Sequence, residues 1–363
     1  MANVQFWQPV PEAEIPGIIQ CDLCPRHCRI RPGQRGKCYA RMNRDGHMVL
    51  ATYGRSTGFC IDPIEKKPLN HFLPGTPVLS FGSLGCNLNC ACCQNWTIAS
   101  SQDEGRLGDV ITPEEIAYAA IRKGCRSIAM TYNEPLISFE YARDVSELCR
   151  SRQLQMVAVT NGYLSGTARS EFCALFDSFN VDLKGIHEDI YQHHCHGHLQ
   201  PVLDTLLHIH HETKAWLEIT TLVIPGLNDS DADIAATARW IADNLSPDVP
   251  LHLTAFHPDH KMRDTPATTV DALRRARTIA QQQGLKFVYL GNVVDPAGET
   301  TVCPSCQTPV IVRDRYALKT YDLDTSGNCT HCGTKLPGVF DGWPGTWGRK
   351  SQPVNMPVWR CMC

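Results

Sequence analysis

The chain has 363 residues, 43% of them hydrophobic and 20% charged, so it can bury a large core and does not fall in the disordered class. A formal charge of -3 with a pI near 6.6 supplies no global basic field, which argues against nucleic acid as the partner. No run of about 18 apolar residues is present to span a bilayer, and "MANVQFWQPVPEAEIPG" lacks a signal-peptide core, so the protein is expected to be cytoplasmic, without a membrane partner, and its nineteen cysteines reduced.

In chain order, the first feature is a cysteine group, Cys21, Cys24, Cys28 and Cys38, spaced C-x2-C-x3-C-x9-C. It suits structural zinc or a second, auxiliary [4Fe-4S] cluster, with zinc slightly preferred. Apolar, β-rich runs then recur at 77–85, 127–132, 155–160, 178–183, 216–224, 250–256 and 286–293. Helical patterns lie between them. In "TPEEIAYAAIRKG" (112–124), for example, Thr112 caps, Pro113 fits the first helical position and Gly124 ends the helix. Strands buried on both faces and joined by helices imply a parallel sheet, whose functional loops leave the carboxyl ends of the strands. "GCNLNCACCQN" (85–95), "YNEP" (132–135), "TNGY" (160–163), "DLKG" (182–185), "PGLND" (225–229) and "FHPDHK" (256–261) all occupy such ends. Near the C-terminus, Cys303 and Cys306 ("CPSC") and Cys329 and Cys332 ("CTHC") form two C-x2-C knuckles with zinc-ribbon spacing. The expected organisation is a cysteine-rich segment over 1–70, an α/β core over 71–298, a zinc-ribbon-like module over 299–342 and a tail over 343–363.

The loop at 85–95 carries the chemistry. Cys86, Cys90 and Cys93 are spaced C-x3-C-x2-C, and three thiolates on one loop can hold three corners of a cubane iron-sulfur cluster and leave its fourth iron open to a reactant. A structural zinc completed by Cys92 or a distant histidine is the competing reading, but zinc ligands from one loop usually come as C-x2-C pairs.

These residues resemble the radical S-adenosylmethionine (SAM) superfamily. "YNEP", "VTNGY", "VDLKG", "TTLVIPGLND" and "AFHPDHK" follow in the order seen in pyruvate formate-lyase activating enzyme and its relatives, a likeness that covers about 60–300. The flanking "CDLCPRHCRIRPGQRGKC" and "CPSC...CTHCGTKLPGVF" are most similar to the radical SAM component of the AmmeMemoRadiSam system. The resemblance implies a partial (β/α)6 TIM-like barrel and an oxidoreductase. In it a [4Fe-4S] cluster on Cys86, Cys90 and Cys93 cleaves SAM reductively to methionine and a 5'-deoxyadenosyl radical, which abstracts hydrogen from a substrate, with a protein residue slightly favoured over a small molecule. It implies that Asn133, Glu134, Asn161, Asp182, Lys184 and His257 contact SAM, with Glu134 accepting from the methionine ammonium and Lys184 pairing with the carboxylate. It also implies an electron donor such as flavodoxin or ferredoxin, with Memo-like and AMMECR-type proteins as partners.

Two positions depart from the pattern. Cys92 replaces an aromatic residue that seats the adenine in relatives, for which Trp96 is either a substitute or an ordinary packing residue, and Val159 stands where the activating enzymes have an aspartate that ligates a cation. The histidine-rich stretches 191–198 and 208–212 read as a solvated helix face, and Cys361 and Cys363 as a frayed tail or mobile thiols that visit a metal site. A non-catalytic iron-sulfur and zinc scaffold for partner proteins is the alternative from another class, and it has no need for a polar rim around an open iron.

Overall fold

The structure, a computed structural model, describes residues 3–11 and 15–356. Cys361 and Cys363 lie outside the described residues. Strands β1 (Trp7–Pro9), β2 (Ile19–Cys21) and β3 (Arg29–Ile30) form a small antiparallel sheet. Next, β4 (Arg41–Arg44) and β5 (His47–Leu50) form a hairpin. Its turn residues Asp45 and Gly46 have φ of 53° and 83°, the positive values that favour Asp-Gly in two-residue hairpins.

The main sheet is built from β6 (Gly58–Pro63), β7 (Pro77–Gly82), β8 (Ser127–Met130), β9 (Gln155–Thr160), β10 (Ser178–Asp182), β11 (Trp216–Val223), β12 (Leu251–Ala255) and β13 (Val288–Gly291). A second three-stranded sheet follows, β14 (Thr301–Val302), β15 (Pro309–Asp314) and β16 (Ala317–Tyr321), before β17 (Gln352–Val354) returns to the main one. The main sheet thus has nine strands in the order β13-β12-β11-β10-β9-β8-β7-β6-β17. From β7 to β13 every pairing is parallel, while β6 and β17 add antiparallel.

Seven runs expected as strands are therefore β7 to β13, most of them ending one to three residues early because their last residues turn into loops. The helices α1 (Trp96–Ala99), α2 (Pro113–Arg122), α3 (Phe139–Ser151), α4 (Gly166–Cys173), α5 (Gln200–Glu212), α6 (Asp231–Asn244) and α7 (Val270–Gln282) lie between them, and α8 (Pro296–Glu299) follows β13. The start of α2 is a capping box: the Glu115 amide donates to Thr112 Oγ1 (3.2 Å) and the Thr112 amide donates to Glu115 Oε2 (2.7 Å). Strands β8, β9 and β10 are almost wholly buried, as parallel strands covered on both faces must be.

The sheet extends beyond the expected core span at both ends. Strand β6 pairs with β7 over Gly58 to Pro63, and β17 pairs with β6 with Gln352 opposite Ile61. The small C-terminal sheet is joined to residues 70–75. The Val339 amide donates to the His71 carbonyl (2.7 Å), the Leu73 amide to the Val339 carbonyl (2.8 Å), and Arg313 Nη2 to the Asn70 carbonyl (2.7 Å). Among the described residues no helix is long and apolar enough to cross a membrane.

Candidate functional site at the carboxyl ends of the strands

The loop that follows β7 is fixed from three sides. Asn133, just past β8, accepts from the Ser83 amide (2.9 Å) and donates to the Gly85 carbonyl (2.9 Å), tying the first two site loops together. From the segment after β10, the Cys195 and His194 carbonyls accept from the Asn89 (3.0 Å) and Ala91 (2.8 Å) amides. That segment, Ile190–Cys195, is a π-helix, and these are its last carbonyls, which have no partner within the helix. On the third side, Gly85 has φ 93° and a Cβ there would lie 1.9 Å from the Cys38 carbonyl oxygen. Gly85→Ala is expected to cost at least about 2 kcal/mol through backbone strain and overlap. A thermal melt unchanged from wild type would show that the cysteine-rich segment does not rest on this loop.

Cys86, Cys90 and Cys93 line a cavity of about 300 Å³, together with Asn133, Glu134, Asn161, Asp182 and Lys184. These residues come from the ends of β7, β8, β9 and β10. Glu134 is 2% exposed and accepts three hydrogen bonds: Oε1 from the Leu136 amide (3.0 Å) and the Thr160 hydroxyl (2.8 Å), Oε2 from the Asn161 amide (2.8 Å). Burial pushes its pKa up to about 7 although those hydrogen bonds pull it down. Asn161 Nδ2 donates to Asn87 Oδ1 (2.8 Å) and lies 3.6 Å from Cys86 Sγ. Lys184 Nζ donates to Asp182 Oδ2 at 2.7 Å. Burial opposes the lysine charge, but Asp182, Cys90 and Cys92 outweigh it and hold Lys184 protonated.

The donor set fits an iron-sulfur group. Burial first, then Glu134 and Cys90, raises the Cys86 thiol well above its ordinary value. A hydrogen bond with Cys195 does the same to Cys90, and burial raises Cys93 to about 11. Three half-buried thiols that resist ionising alone would ionise beside a cationic iron centre.

Several side chains lie elsewhere. His257 is exposed and is not among the residues that line the cavity. Cys92 borders the same cavity but is otherwise packed in an apolar cluster with Ile224 and Phe256. Trp96 stacks on His260 (5.2 Å between ring centres, 13° between planes) and donates to Asp259 (3.2 Å) at the rim. Three contributors were not foreseen from sequence. Thr160 holds Glu134, Asn228 donates to the Lys184 carbonyl (2.9 Å) across from the loop after β11, and Cys195 stands beside Cys90. Thr160 and Asn228 lie in the strand-end motifs "TNGY" and "PGLND" without being singled out, and Cys195 lies in the histidine-rich run read as a solvated face.

A second cavity, about 360 Å³, shares Pro68, Thr254 and Asn292 with the first. Glu65 and Arg313 also line it, both almost fully buried, and Glu65 Oε2 and Arg313 Nε have no hydrogen-bond partner.

The C-terminal cysteines close on one point. Cys303, Cys306, Cys329 and Cys332 bring their sulfurs within 4.8 Å of one another, and those of Cys303 and Cys332 are 3.6 Å apart. Tetrahedral metal-sulfur bonds of about 2.3 Å would put neighbouring sulfurs roughly 3.8 Å apart. The two knuckles have one pattern: the Gln307 amide donates to Cys303 (3.0 Å) and the Gly333 amide to Cys329 (2.8 Å). Hydrogen bonds with Thr308 and Thr334 hold Cys306 and Cys332 below the ordinary thiol value, toward the ligating form. These residues fit a bound metal ion.

Comparison with known proteins agrees with this geometry. Residues 82–241 match the radical SAM superfamily. The chain is 40% identical over 342 residues to the uncharacterized protein MJ0808 of Methanocaldococcus jannaschii, covering 94% of this chain and 100% of that one. Among solved structures it is similar to Streptococcus suis SuiB bound to S-adenosylmethionine (14% identity, TM-score 0.48, 63% of this chain and 53% of that one). It is also similar to a domain of pyruvate-formate lyase-activating enzyme from Bacteroides vulgatus (17% identity, TM-score 0.40, 45% of this chain and 98% of that one). With its three-thiol loop at the head of a parallel sheet and the match across its centre, the chain belongs to the radical SAM superfamily.

Proposed function

We propose that Cys86, Cys90 and Cys93 hold a [4Fe-4S] cluster, that SAM occupies the 300 Å³ cavity beside them, and that the chain is a radical SAM oxidoreductase resembling the pyruvate formate-lyase activating enzymes. The observation that carries this reading is the convergence of three thiols from one loop with Glu134, Asn161, Asp182 and Lys184 on one cavity. When bound, cluster and SAM together supply a one-electron cleavage to methionine and a 5'-deoxyadenosyl radical that takes hydrogen from the substrate.

The chain's own residues bind and orient. Lys184, fixed on Asp182, offers a cation to the SAM carboxylate, and Asn161 holds Cys86 in place. Glu134 spends three acceptor positions on the protein and offers the rest of its charge to the methionine ammonium. Glu134→Gln removes that charge, so SAM affinity should fall roughly tenfold to a hundredfold, the worth of a charge-assisted bond of about 1.5 to 3 kcal/mol. The new amide nitrogen would also face a donor, which should cost about 1 to 3 kcal/mol of stability. Titrating SAM into both reconstituted proteins checks this: an unchanged dissociation constant removes Glu134 from the SAM site.

The resemblance of the motif order to activating enzymes favours a protein residue as substrate, with the Memo-like and AMMECR-type proteins as partners to search for a mass change after turnover. The second cavity favours a small molecule instead, because its buried Glu65 and Arg313, an ion pair at 3.9 Å, each leave one atom without a hydrogen bond, which suits a ligand that offers both a donor and an acceptor. Zinc is the proposed ion at the four C-terminal cysteines, and flavodoxin or ferredoxin the proposed reductant. The decisive experiment is anaerobic reconstitution with iron and sulfide followed by SAM and dithionite. Formation of 5'-deoxyadenosine supports the enzyme; its absence from a protein with a full cluster makes the chain a scaffold.

A further inference from the structure

We infer that the four N-terminal cysteines hold a second [4Fe-4S] cluster that receives electrons from an acidic donor protein and passes them to the cluster at Cys86, Cys90 and Cys93; the second step rests on the function proposed above. Cys21, Cys24, Cys28 and Cys38 all line one pocket, together with Arg41 and Asn87. Among the described residues, the ribbon sulfurs are the only set of three or more such ligands gathered within 4.8 Å. The N-terminal sulfurs surround a shared space without closing to the distance of a single ion, as do those of the loop at 86–93. Ligands of a cubane, each on a different iron, stand wider apart than ligands of one zinc.

A second observation points to an occupant. Arg41 is fully buried, its guanidinium pairs with Glu140 and donates to the Gln5 carbonyl (2.7 Å), and its Nε has no partner. A buried N–H without an acceptor is costly, and a sulfide or thiolate sulfur of a bound cluster would satisfy it. The arginine also offsets the negative charge that four thiolates bring.

The position suits a relay. Asn87, which lines this pocket, follows Cys86 directly, and the Cys38 carbonyl rests against Gly85, which precedes it. Arg26, two residues after Cys24, donates to the Asn87 and His196 carbonyls. A single residue, Asn87 or Gly85, therefore separates the two ligand sets along the first two routes. In the transfer the donor loses one electron, the N-terminal cluster is reduced and reoxidised, and the second cluster is reduced; no bond or proton changes place.

The surface around this pocket names the donor's charge. Residues 21–44 contain seven arginines and lysines against one acid, Asp22, and Arg29, Arg31 and Lys37 are exposed, in a chain of net charge -3. An acidic one-electron flavin or iron-sulfur protein fits this collar.

Three variants test the proposal in the full chain. Cys86→Ala/Cys90→Ala/Cys93→Ala, reconstituted without oxygen, should keep roughly four irons per chain with the signal of a reduced cubane that SAM does not perturb. Zinc in place of that iron overturns the second cluster, whatever becomes of SAM cleavage. In Cys24→Ala, the ratio of flavodoxin-driven to dithionite-driven SAM cleavage should fall at least tenfold; an unchanged ratio in protein lacking the cluster overturns the relay. Arg29→Glu/Arg31→Glu/Lys37→Glu should raise the flavodoxin concentration for half-maximal rate roughly tenfold, and no change overturns the docking surface.

Discussion

Changing Cys86, Cys90 or Cys93 to Ala is expected to reduce SAM cleavage to background, while Cys92→Ala keeps it. The four thiols occupy eight residues of one loop, so proximity in sequence does not separate them. Their surroundings do. All four line the cavity with Glu134, Asp182 and Lys184, but Cys86, Cys90 and Cys93 are half-buried and have the three-ligand spacing. Loss of one leaves two thiols, too few to hold a cubane against exchange with solvent. Cys92 is 7% exposed and packs with Ile224 and Phe256. Its replacement removes one buried sulfur, a change of about 1 kcal/mol in stability. Iron content and 5'-deoxyadenosine formation after reconstitution check this, and equal iron loss in Cys92→Ala and Cys93→Ala would show that the third ligand is misassigned.

Cys303→Ala or Cys332→Ala is expected to release the C-terminal metal and unfold the module that carries it, at a cost on the order of 4 kcal/mol. The module's apolar core is small, built from residues such as Val310, Ile311, Leu323 and Leu336, so metal-binding energy must supply much of its folding energy. The damage should extend to residues 70–75, because Arg313, Pro337 and Val339 hold that segment. It should stop short of the cavity at Cys86, whose lining includes no ribbon residue. Metal analysis with hydrogen exchange measures both parts: loss of the bound metal, faster exchange at 70–75 and at 301–340, and unchanged iron-sulfur absorption. Iron-sulfur absorption falling in step with that metal would show that the ribbon supports the core site.

Local pattern determined the elements that carry the site. Strands β7 to β13 were legible because strands buried on both faces are continuous apolar runs, and α2 because Thr112, Pro113, Glu115 and Gly124 are each local signals. The C-x3-C-x2-C loop and the two C-x2-C knuckles were legible because a metal reads spacing within a few residues. Edge strands were not: "GFCIDP" and "QPV" are short, contain proline and alternate weakly, and β17 exists only because Gln352 to Val354 find β6 almost three hundred residues away.

The site divides in the same way. Sequence order nominated Glu134, Asn161, Asp182 and Lys184, since each follows a strand and parallel strands send such residues to one rim. It could not tell that His257 faces solvent while Cys195, from a histidine-rich run, stands beside Cys90. What decided these points was the approach of distant backbones: Cys38 against Gly85, His194 and Cys195 against the loop at 89–91, and Arg313 against Asn70. Such contacts depend on packing among elements far apart in the chain, and no local pattern of residue types encodes them.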